Sequence, residues 1–274
     1  MLETVDWPAV ERAIGEAEDY LDFEYEAIKD AVAAAADAWL PEDAQHLVVG
    51  VEQEVEIPYE GWEAGELPPE SARRAKGIVD LNLLTREGRT IIVDWKTTGA
   101  KEMPQADKYS RSWQWRMYAA ALAAQVPVES IEVQYRVVTR ELQLGTISLI
   151  PSAYTVARIR EQLQMVAAMN DAIAEFTVWP QRMPGSCKAY GRDCPFTLDC
   201  AHGTMPRGKM PRKDLSFTYV DRFLLCPERA RRVELEPEGD ATDEAGFGKA
   251  FHRGMAEVYG QLQRRSTNGT ASES

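Results

Sequence analysis

Two aspartates and a lysine that lie close together in the sequence are the residues best suited to chemistry. Asp80 ends the segment GIVD at 77–80, and Asp94 and Lys96 lie in DWKTTG at 94–99. Carboxylates are preferred ligands of Mg²⁺ and Mn²⁺, and a bound metal makes a coordinated water more acidic. A nearby ammonium can orient that water. The trio could thus serve metal-dependent chemistry on a phosphate. On their own, Asp94 and Lys96 are better explained as a structural ion pair at a strand end, and it is the motifs around them that favour the catalytic interpretation.

Two short strands are predicted to position the trio. Apolar residues dominate 78–84 and 91–93, and a Glu-Gly pair separates the two runs, as expected for strands joined by a turn. One aspartate lies within the first strand, and the other ends the second. Because Lys96 follows Asp94 by two positions, both side chains leave the same face of an extended chain. Pairing of the strands would gather all three groups at one end of a sheet.

A third motif lies on the predicted amphipathic helix 112–125. Gln114 and Tyr118 are four positions apart, so they share one face of this helix. Together the three motifs resemble the RecB-like branch of the PD-(D/E)XK nucleases, with Val79 in place of the proline of the family name. The resemblance implies an α/β, restriction-endonuclease-like core in which helices flank a central mixed sheet.

The resemblance also implies roles for individual residues. Asp80, Asp94 and the main-chain carbonyl of Trp95 would hold Mg²⁺ or Mn²⁺ together with a histidine, and Lys96 would serve the attacking water. Gln114 would contact the nucleic acid.

Two further residues take roles from the same resemblance. Tyr118 would line the DNA site beside Gln114. In the family a glutamate often precedes the first metal-binding strand, and Glu52 is our choice for that position. It lies in the predicted strand 47–59, where acidic and apolar residues alternate, so it could equally belong to a solvated face.

Four cysteines form a second candidate metal site. Three lie in PGSCKAYGRDCPFTLDC, and the fourth lies in FLLCPERARR. This grouping favours a metal over disulfides in a protein that we expect to be cytosolic. Four thiolates suit a structural Zn²⁺ or a [4Fe–4S] cluster. The gaps lack the paired C-x₂-C knuckles of zinc ribbons. The candidate ligands are Cys187, Cys194, Cys200 and Cys226.

The resemblance narrows this choice. A subgroup of RecB-like nucleases, including AddB-type and CRISPR-adaptation nucleases, has an iron–sulfur staple with one Cys-Pro before the core and three cysteines after it. Cys226-Pro227 is similar to the first element, and the loop at 187–200 is similar to the second. The first gap in that loop is wider than is usual for the subgroup, so zinc or a site without metal remains open.

The order of the motifs is unusual for this family. Gly248 and His252 form a G-x-x-x-H motif that, in the family, precedes the strand of the first aspartate. Here the motif follows the cysteine loop, which indicates a circular permutation joined at 203–213. A truncated second copy beginning at 205 is the alternative. The cysteine count favours permutation, because four make one complete cluster. His252 is then the expected histidine ligand.

The distribution of charge along the chain indicates how it is divided into regions. The net charge of −13 is concentrated in residues 1–66, which carry −17, so the remaining 208 residues carry about +4. The stretch 205–233 is the most basic, and Arg229 and Arg232 are its candidate DNA-backbone contacts. We expect five regions: an acidic helical region at 1–45, the nuclease core at 46–180, the cluster loop at 181–204, the permuted segment at 205–260 and a disordered tail at 261–274.

The residue pattern also predicts individual elements within these regions. It predicts helix from Val5 to Leu40 with a break near Asp22, a β-hairpin at 131–150 and a long helix from Tyr154 to Phe176.

The predicted function is a metal-dependent deoxyribonuclease, by resemblance an exonuclease acting on DNA ends or single strands. The alternative is a catalytically silent, nuclease-like DNA-binding module that serves a helicase or recombination protein. No apolar run approaches the ~18–20 residues of a membrane span, and the first residues do not resemble a secretion signal. We therefore expect a cytoplasmic protein of a bacterial or phage-infected cell.

Overall fold

The computed structural model describes residues 5–16, 25–59, 73–175, 215–217, 220 and 243–270. The four cysteines, Arg229 and Arg232 lie outside these residues, so the predictions made for them stay predictions. The described elements are, in chain order, α1 (Trp7–Gly15), α2 (Tyr25–Asp43), β1 (Leu47–Pro58), β2 (Arg74–Leu84), β3 (Thr90–Thr98), α3 (Ala106–Ser110), α4 (Gln114–Leu122), β4 (Ile131–Thr139), β5 (Leu144–Leu149), α5 (Ala153–Glu175), β6 (Leu215–Ser216) and α6 (Asp243–Thr270).

The sheet has the strand order β1-β2-β3-β4-β5, and β6 pairs with β2. Strands β2 and β3 are antiparallel, with Leu81 opposite Val93, and Gly88 takes a φ of 81° in the turn between them. A positive φ of this kind suits glycine because it has no Cβ. Strands β3 and β4 are parallel, and β4 and β5 are antiparallel. The predicted α/β fold with a mixed central sheet flanked by helices is confirmed.

The chain divides into two compact units. The first comprises residues 1–55, 78–153 and 240–274 and contains most of the sheet with α1, α2, α4 and α6. The second comprises 56–77 and 154–239. Within the second unit, β6 pairs with the start of β2 at Ala75 and Lys76. The candidate site described below lies wholly in the first unit.

The core of the first unit explains how α6 is held. Helix α6 packs against α1, α2 and β3. The alanine-rich face of α2 lets these helices approach closely, and a Cβ on Gly254 of α6 would lie 2.7 Å from Val32 Cγ2. Each large apolar side chain that is fully buried here contributes about 1.5–3 kcal/mol. The cluster includes Val10, Ile14, Ile28, Trp95, Phe251, Met255 and Val258.

Two predicted boundaries differ from the structure. The helix expected to end at Leu40 continues to Asp43, with Pro41 inside its last part. The tail expected to be disordered from 261 is helical as far as Thr270. Gln261 explains the second difference, because its side chain bonds to the backbone N–H and carbonyl of Asp6 at 2.8 and 3.2 Å.

Other predicted elements are confirmed. The expected hairpin at 131–150 is formed by β4 and β5, and the long helix expected from 154 is α5. The break expected near Asp22 falls outside the described residues, between α1 and α2. None of the described helices combines the length and the hydropathy that a membrane span would require.

Candidate active site

Asp80 is buried in the middle of β2, with 8% of its surface exposed. Its Oδ2 accepts a hydrogen bond of 2.7 Å from the backbone N–H of Trp95 on β3. The antiparallel pairing of β2 with β3 therefore does more than bring the two strands together. It also supplies a main-chain donor that holds the Asp80 carboxylate beside the segment carrying Asp94 and Lys96.

Asp94 on β3 is more deeply buried, with 1% exposed. Its Oδ1 accepts from Gln114 Nε2 at 3.0 Å, and its Oδ2 forms an ion pair with Lys96 Nζ. Burial raises the pKa of Asp94, the Lys96 ammonium opposes that rise, and the charge of Asp80 adds to it. The net direction is upward, because two carboxylates share a poorly solvated site.

Helix α4 brings Gln114 and Tyr118 to Asp94. Trp115 and Met117 are buried, which seats the helix and leaves the other two side chains directed at the carboxylate. Gln114 Nε2 also donates to the Tyr118 hydroxyl at 2.8 Å. That hydroxyl lies 2.8 Å from the Ile78 carbonyl oxygen and 3.1 Å from Asp94 Oδ1.

Tyr118 is therefore held as a neutral donor. Burial, followed by the charge of Asp94, keeps its pKa well above the ordinary value. In this structure Gln114 and Tyr118 brace Asp94, and their expected contact with nucleic acid stays a prediction.

His252 reaches the site from α6. Its Nδ1 lies 3.4 Å from Asp80 Oδ2, and 27% of its side chain is exposed. Burial alone would lower the pKa of His252, but hydrogen bonding and charge from Asp80, with the charge of Asp94, raise it overall. The ring also meets the Trp95 indole edge-on, with centroids 5.9 Å apart.

The glycine of the G-x-x-x-H motif has a visible packing role. A Cβ on Gly248 would lie 3.1 Å from Thr97 Oγ1, just beyond Lys96 on β3. The missing side chain lets the start of α6 approach the end of β3 closely. One turn later, His252 then comes within reach of Asp80.

The donor types at this site suit a divalent metal. Within the described ranges, no group of three or more His, Cys, Asp or Glu side chains is arranged as a metal site. Both carboxylates contact hydrogen-bond donors and cations of the protein instead. Asp80 contacts the Trp95 N–H and His252, and Asp94 contacts Lys96 and the Gln114 amide of α4. Two buried carboxylates next to an imidazole, with the charge of Asp80 raising the pKa of Asp94, nevertheless form a donor set that Mg²⁺ or Mn²⁺ fits.

One protein-family model matches most of the chain. The sequence model of the PD-(D/E)XK nuclease superfamily matches residues 2–201. The chain belongs to this superfamily. The matched segment holds Asp80, Asp94 and Lys96, whereas His252 lies beyond it. Superfamily members are generally metal-dependent nucleases, typically using Mg²⁺ or Mn²⁺. A search among curated proteins gives no match.

Glu52 is the remaining expected ligand. It lies on β1 with an exposed side chain and a φ of 49°. A non-glycine residue in that region is uncommon and marks an irregular point in a strand. The neighbouring Gln53 accepts from Asn82 Nδ2 at 3.1 Å. A metal role for Glu52 stays a prediction.

Tyr135 is a site neighbour that sequence reasoning missed. It lies on β4 directly opposite Asp94 in the parallel register, and its ring centroid is 5.7 Å from Lys96 Nζ. Tyr109 packs on the same ring at 4.9 Å. The Lys96 ammonium is thus placed between a carboxylate and an aromatic face. Only the β3–β4 register reveals this contact, since nothing in the spacing of the sequence marks it.

The His252–Asp80 contact predicts a pH dependence for the metal-free protein. Because the pKa of His252 is raised on folding, its stabilising contribution is complete below the unfolded value of about 6.5 and is lost as pH rises through the folded value. The measurement is thermal unfolding of the wild type and His252→Gln in EDTA from about pH 5.5 to 8.5.

Asp94 contributes with the same sign, since its pKa is also raised, and the charge of His252 lowers that pKa. The difference between the two proteins therefore reports the histidine together with its effect on Asp94. We expect the stability advantage of the wild type to be largest at acidic pH and to shrink as pH rises. A difference that stays constant across this range would contradict the contact.

Proposed function

We propose that this chain is a metal-dependent DNA nuclease that hydrolyses phosphodiester bonds through His252, Asp80, Asp94 and Lys96. The observation that carries the proposal is the approach of His252 to Asp80, beside the Asp94–Lys96 ion pair. Membership of the PD-(D/E)XK superfamily gives the reaction class. The groups assembled at the site, which come from two distant segments of the sequence, indicate which residues would carry out the reaction.

The chain's own residues prepare the reaction in distinct ways. When bound by His252, Asp80, Asp94 and the Trp95 carbonyl, Mg²⁺ or Mn²⁺ supplies Lewis acidity and a more acidic water. Lys96 is placed to orient that water and to donate to a phosphoryl oxygen as negative charge develops there. The Trp95 N–H holds one oxygen of Asp80. These groups are fixed before substrate arrives, which lowers the cost of reorganisation.

Gln114 and Tyr118 complete the preparation. Both lie within hydrogen-bond distance of Asp94 Oδ1, so they orient the carboxylate and leave Oδ2 facing Lys96. Supporting donors of this kind commonly matter nearly as much as the ligands that they orient. Direct contact of the same two side chains with DNA belongs to the proposal as well.

The finer assignment is a circularly permuted nuclease of the RecB-like branch. Helix α6, which carries the histidine, lies after the residues matched to the superfamily and packs on α1, α2 and β3. One chain thereby brings its own histidine to its own aspartates. A truncated second copy would instead place this histidine against no site of its own, so the contact between His252 and Asp80 supports permutation.

The cysteines complete this assignment. We infer that Cys187, Cys194, Cys200 and Cys226 bind a [4Fe–4S] cluster that ties the segment before α6 to the loop after the core. Their number and thiolate chemistry support the inference, and a single Zn²⁺ is the alternative. A structural staple of this kind would couple metal loading to folding rather than to redox chemistry.

One set of assays tests the function. Anaerobically purified protein is incubated with end-labelled single-stranded and double-stranded DNA, and with circular single-stranded DNA, in Mg²⁺, Mn²⁺ or EDTA. We expect metal-dependent cleavage of the linear substrates and about four irons with acid-labile sulfide per chain. Cleavage of the circle would reassign the enzyme as an endonuclease. Folded protein that binds DNA without cleaving it in either metal would overturn the proposal in favour of a silent DNA-binding module.

A further inference from the structure

A buried polar network lies behind the candidate site. Asp43 ends α2, Arg136 lies on β4 and Tyr259 lies on α6, with at most 4% of any of them exposed. Arg136 Nη2 donates to Asp43 Oδ1 at 2.7 Å, and Nη1 donates to Oδ2 of the same carboxylate. The Tyr259 hydroxyl also donates to Asp43 Oδ2 and accepts from Arg136 Nη1 at 3.2 Å.

Stability alone is a weak reason for such a network. Removing two charges from water costs several kcal/mol per ion, and well-packed apolar residues in place of a buried ion pair are often neutral or stabilising. A bidentate guanidinium–carboxylate pair is strongly directional, however, and it accepts a third group only in a narrow range of positions. The network is therefore better suited to fixing where Tyr259 lies than to adding stability.

The position of Tyr259 on its helix links the network to the site. It follows His252 by seven residues, so the two side chains share one face of α6. Both rings pack on Trp95, with centroids 5.6 Å away for Tyr259 and 5.9 Å away for His252. Trp95 lies beside Arg136 in the β3–β4 register. A continuous set of contacts thus runs from the buried ion pair to the imidazole.

Helix α6 needs a directional contact if its histidine is to be placed accurately. The buried residues of α6 near His252 are apolar or small, including Phe251, Gly254 and Met255, and apolar contacts do not specify rotation well. The polar contact beside them is an exposed one, from Arg253 Nη1 to the Glu16 carbonyl oxygen at 3.0 Å. One residue of an α-helix corresponds to about 100° of rotation and about 1.5 Å of rise. A fraction of that movement would take the His252 imidazole away from Asp80, which it meets at 3.4 Å.

We propose that the Asp43–Arg136–Tyr259 network positions α6, and that Tyr259 is a positioning residue for His252. The proposal deepens the proposed function, and it rests on that function only where His252 is taken as a metal ligand. The network joins residues inside the superfamily match to one outside it: Asp43 and Arg136 lie within residues 2–201, and Tyr259 lies after them. It would hold the downstream helix in register with the matched core.

The test compares Tyr259→Phe with Gln261→Met. Gln261 is a matched control because it anchors the same helix to Asp6 but faces the opposite side from His252. Two readouts are taken: the His252 ring resonances in metal-free protein, which are sensitive to the Trp95 indole, and Mn²⁺ affinity by electron paramagnetic resonance. The chain has three histidines, so His252→Gln identifies the relevant resonance.

We expect Tyr259→Phe to shift the His252 resonances and to weaken Mn²⁺ binding about tenfold, as loss of a supporting group does at other metal sites. Gln261→Met should lower the melting temperature while leaving both readouts at wild-type values. Unchanged readouts in Tyr259→Phe, or equal changes in both variants, would overturn the positioning role.

A second variant separates positioning from stability. The combination Asp43→Leu, Arg136→Met and Tyr259→Phe replaces the network with apolar groups and should melt at or above the temperature of Tyr259→Phe. Its Mn²⁺ affinity and His252 resonances should stay altered, and their recovery would overturn the proposal. If the wild type binds no Mn²⁺, the proposed function fails, and the metal-free resonances alone decide whether Tyr259 positions the helix.

Discussion

Replacing Asp94 by asparagine should lower the rate of metal-dependent DNA cleavage by about a thousandfold, as loss of a central electrostatic group does in other enzymes. The amide keeps the size of the side chain but removes the charge that faces Lys96 and a bound cation. The folded protein should be as stable as the wild type or more stable near neutral pH. The reason is that burial raises the pKa of Asp94, so its ionised form is costly in the metal-free fold.

The measurement pairs single-turnover cleavage with thermal unfolding in EDTA. Asp107→Asn on α3 is the matched control, because Asp107 is an exposed aspartate whose partner is the exposed Arg111. That variant should cleave at the wild-type rate. Cleavage by Asp94→Asn at a rate close to the wild type would mean that Asp94 is structural.

Replacing Lys96 by glutamine should lower the cleavage rate by about a hundredfold or more, within the range expected for a group that activates water. Lys96 is not one of the proposed metal ligands, so Mn²⁺ affinity should stay within a few-fold of the wild type. The ammonium also opposes the rise in the pKa of Asp94. The acidic limb of the pH–rate profile should therefore move to higher pH in this variant.

Lys101→Gln provides the control for Lys96. Lys101 follows β3 and is largely exposed, with its ammonium 3.5 Å from a Glu141 oxygen. It should leave the rate, the metal affinity and the pH profile unchanged. A Lys96→Gln variant that loses metal binding and cleavage in parallel would show that the lysine holds the site together rather than serving the water.

The parts of the site that the sequence predicts well are those set by local periodicity. Asp94 and Lys96 share a face because side chains alternate along a strand. Gln114 and Tyr118 share a face because they are one helical turn apart. The turn at Gly88 then makes β2 and β3 neighbours, which brings Asp80 to the same place.

The remaining features depend on contacts between distant segments. No local pattern indicates that Arg136 would meet Asp43 and Tyr259, since each residue lies on a different element. Helix α6 continues past residue 261 because Gln261 bonds to Asp6. The polar composition of these last residues does not reveal that contact. The position of Glu52 depends on a backbone irregularity in β1 that alternation of residue types cannot predict.

The central claim is that α6 supplies His252 to a metal site whose other ligands lie in the superfamily core. The most direct test is a titration of cluster-loaded wild type and His252→Gln with Mn²⁺, followed by electron paramagnetic resonance. We expect the wild type to bind the metal and the variant to bind it at least about tenfold more weakly. Equal affinity in the two proteins, with both folded, would show that His252 only packs against Asp80 and that α6 does not complete the site.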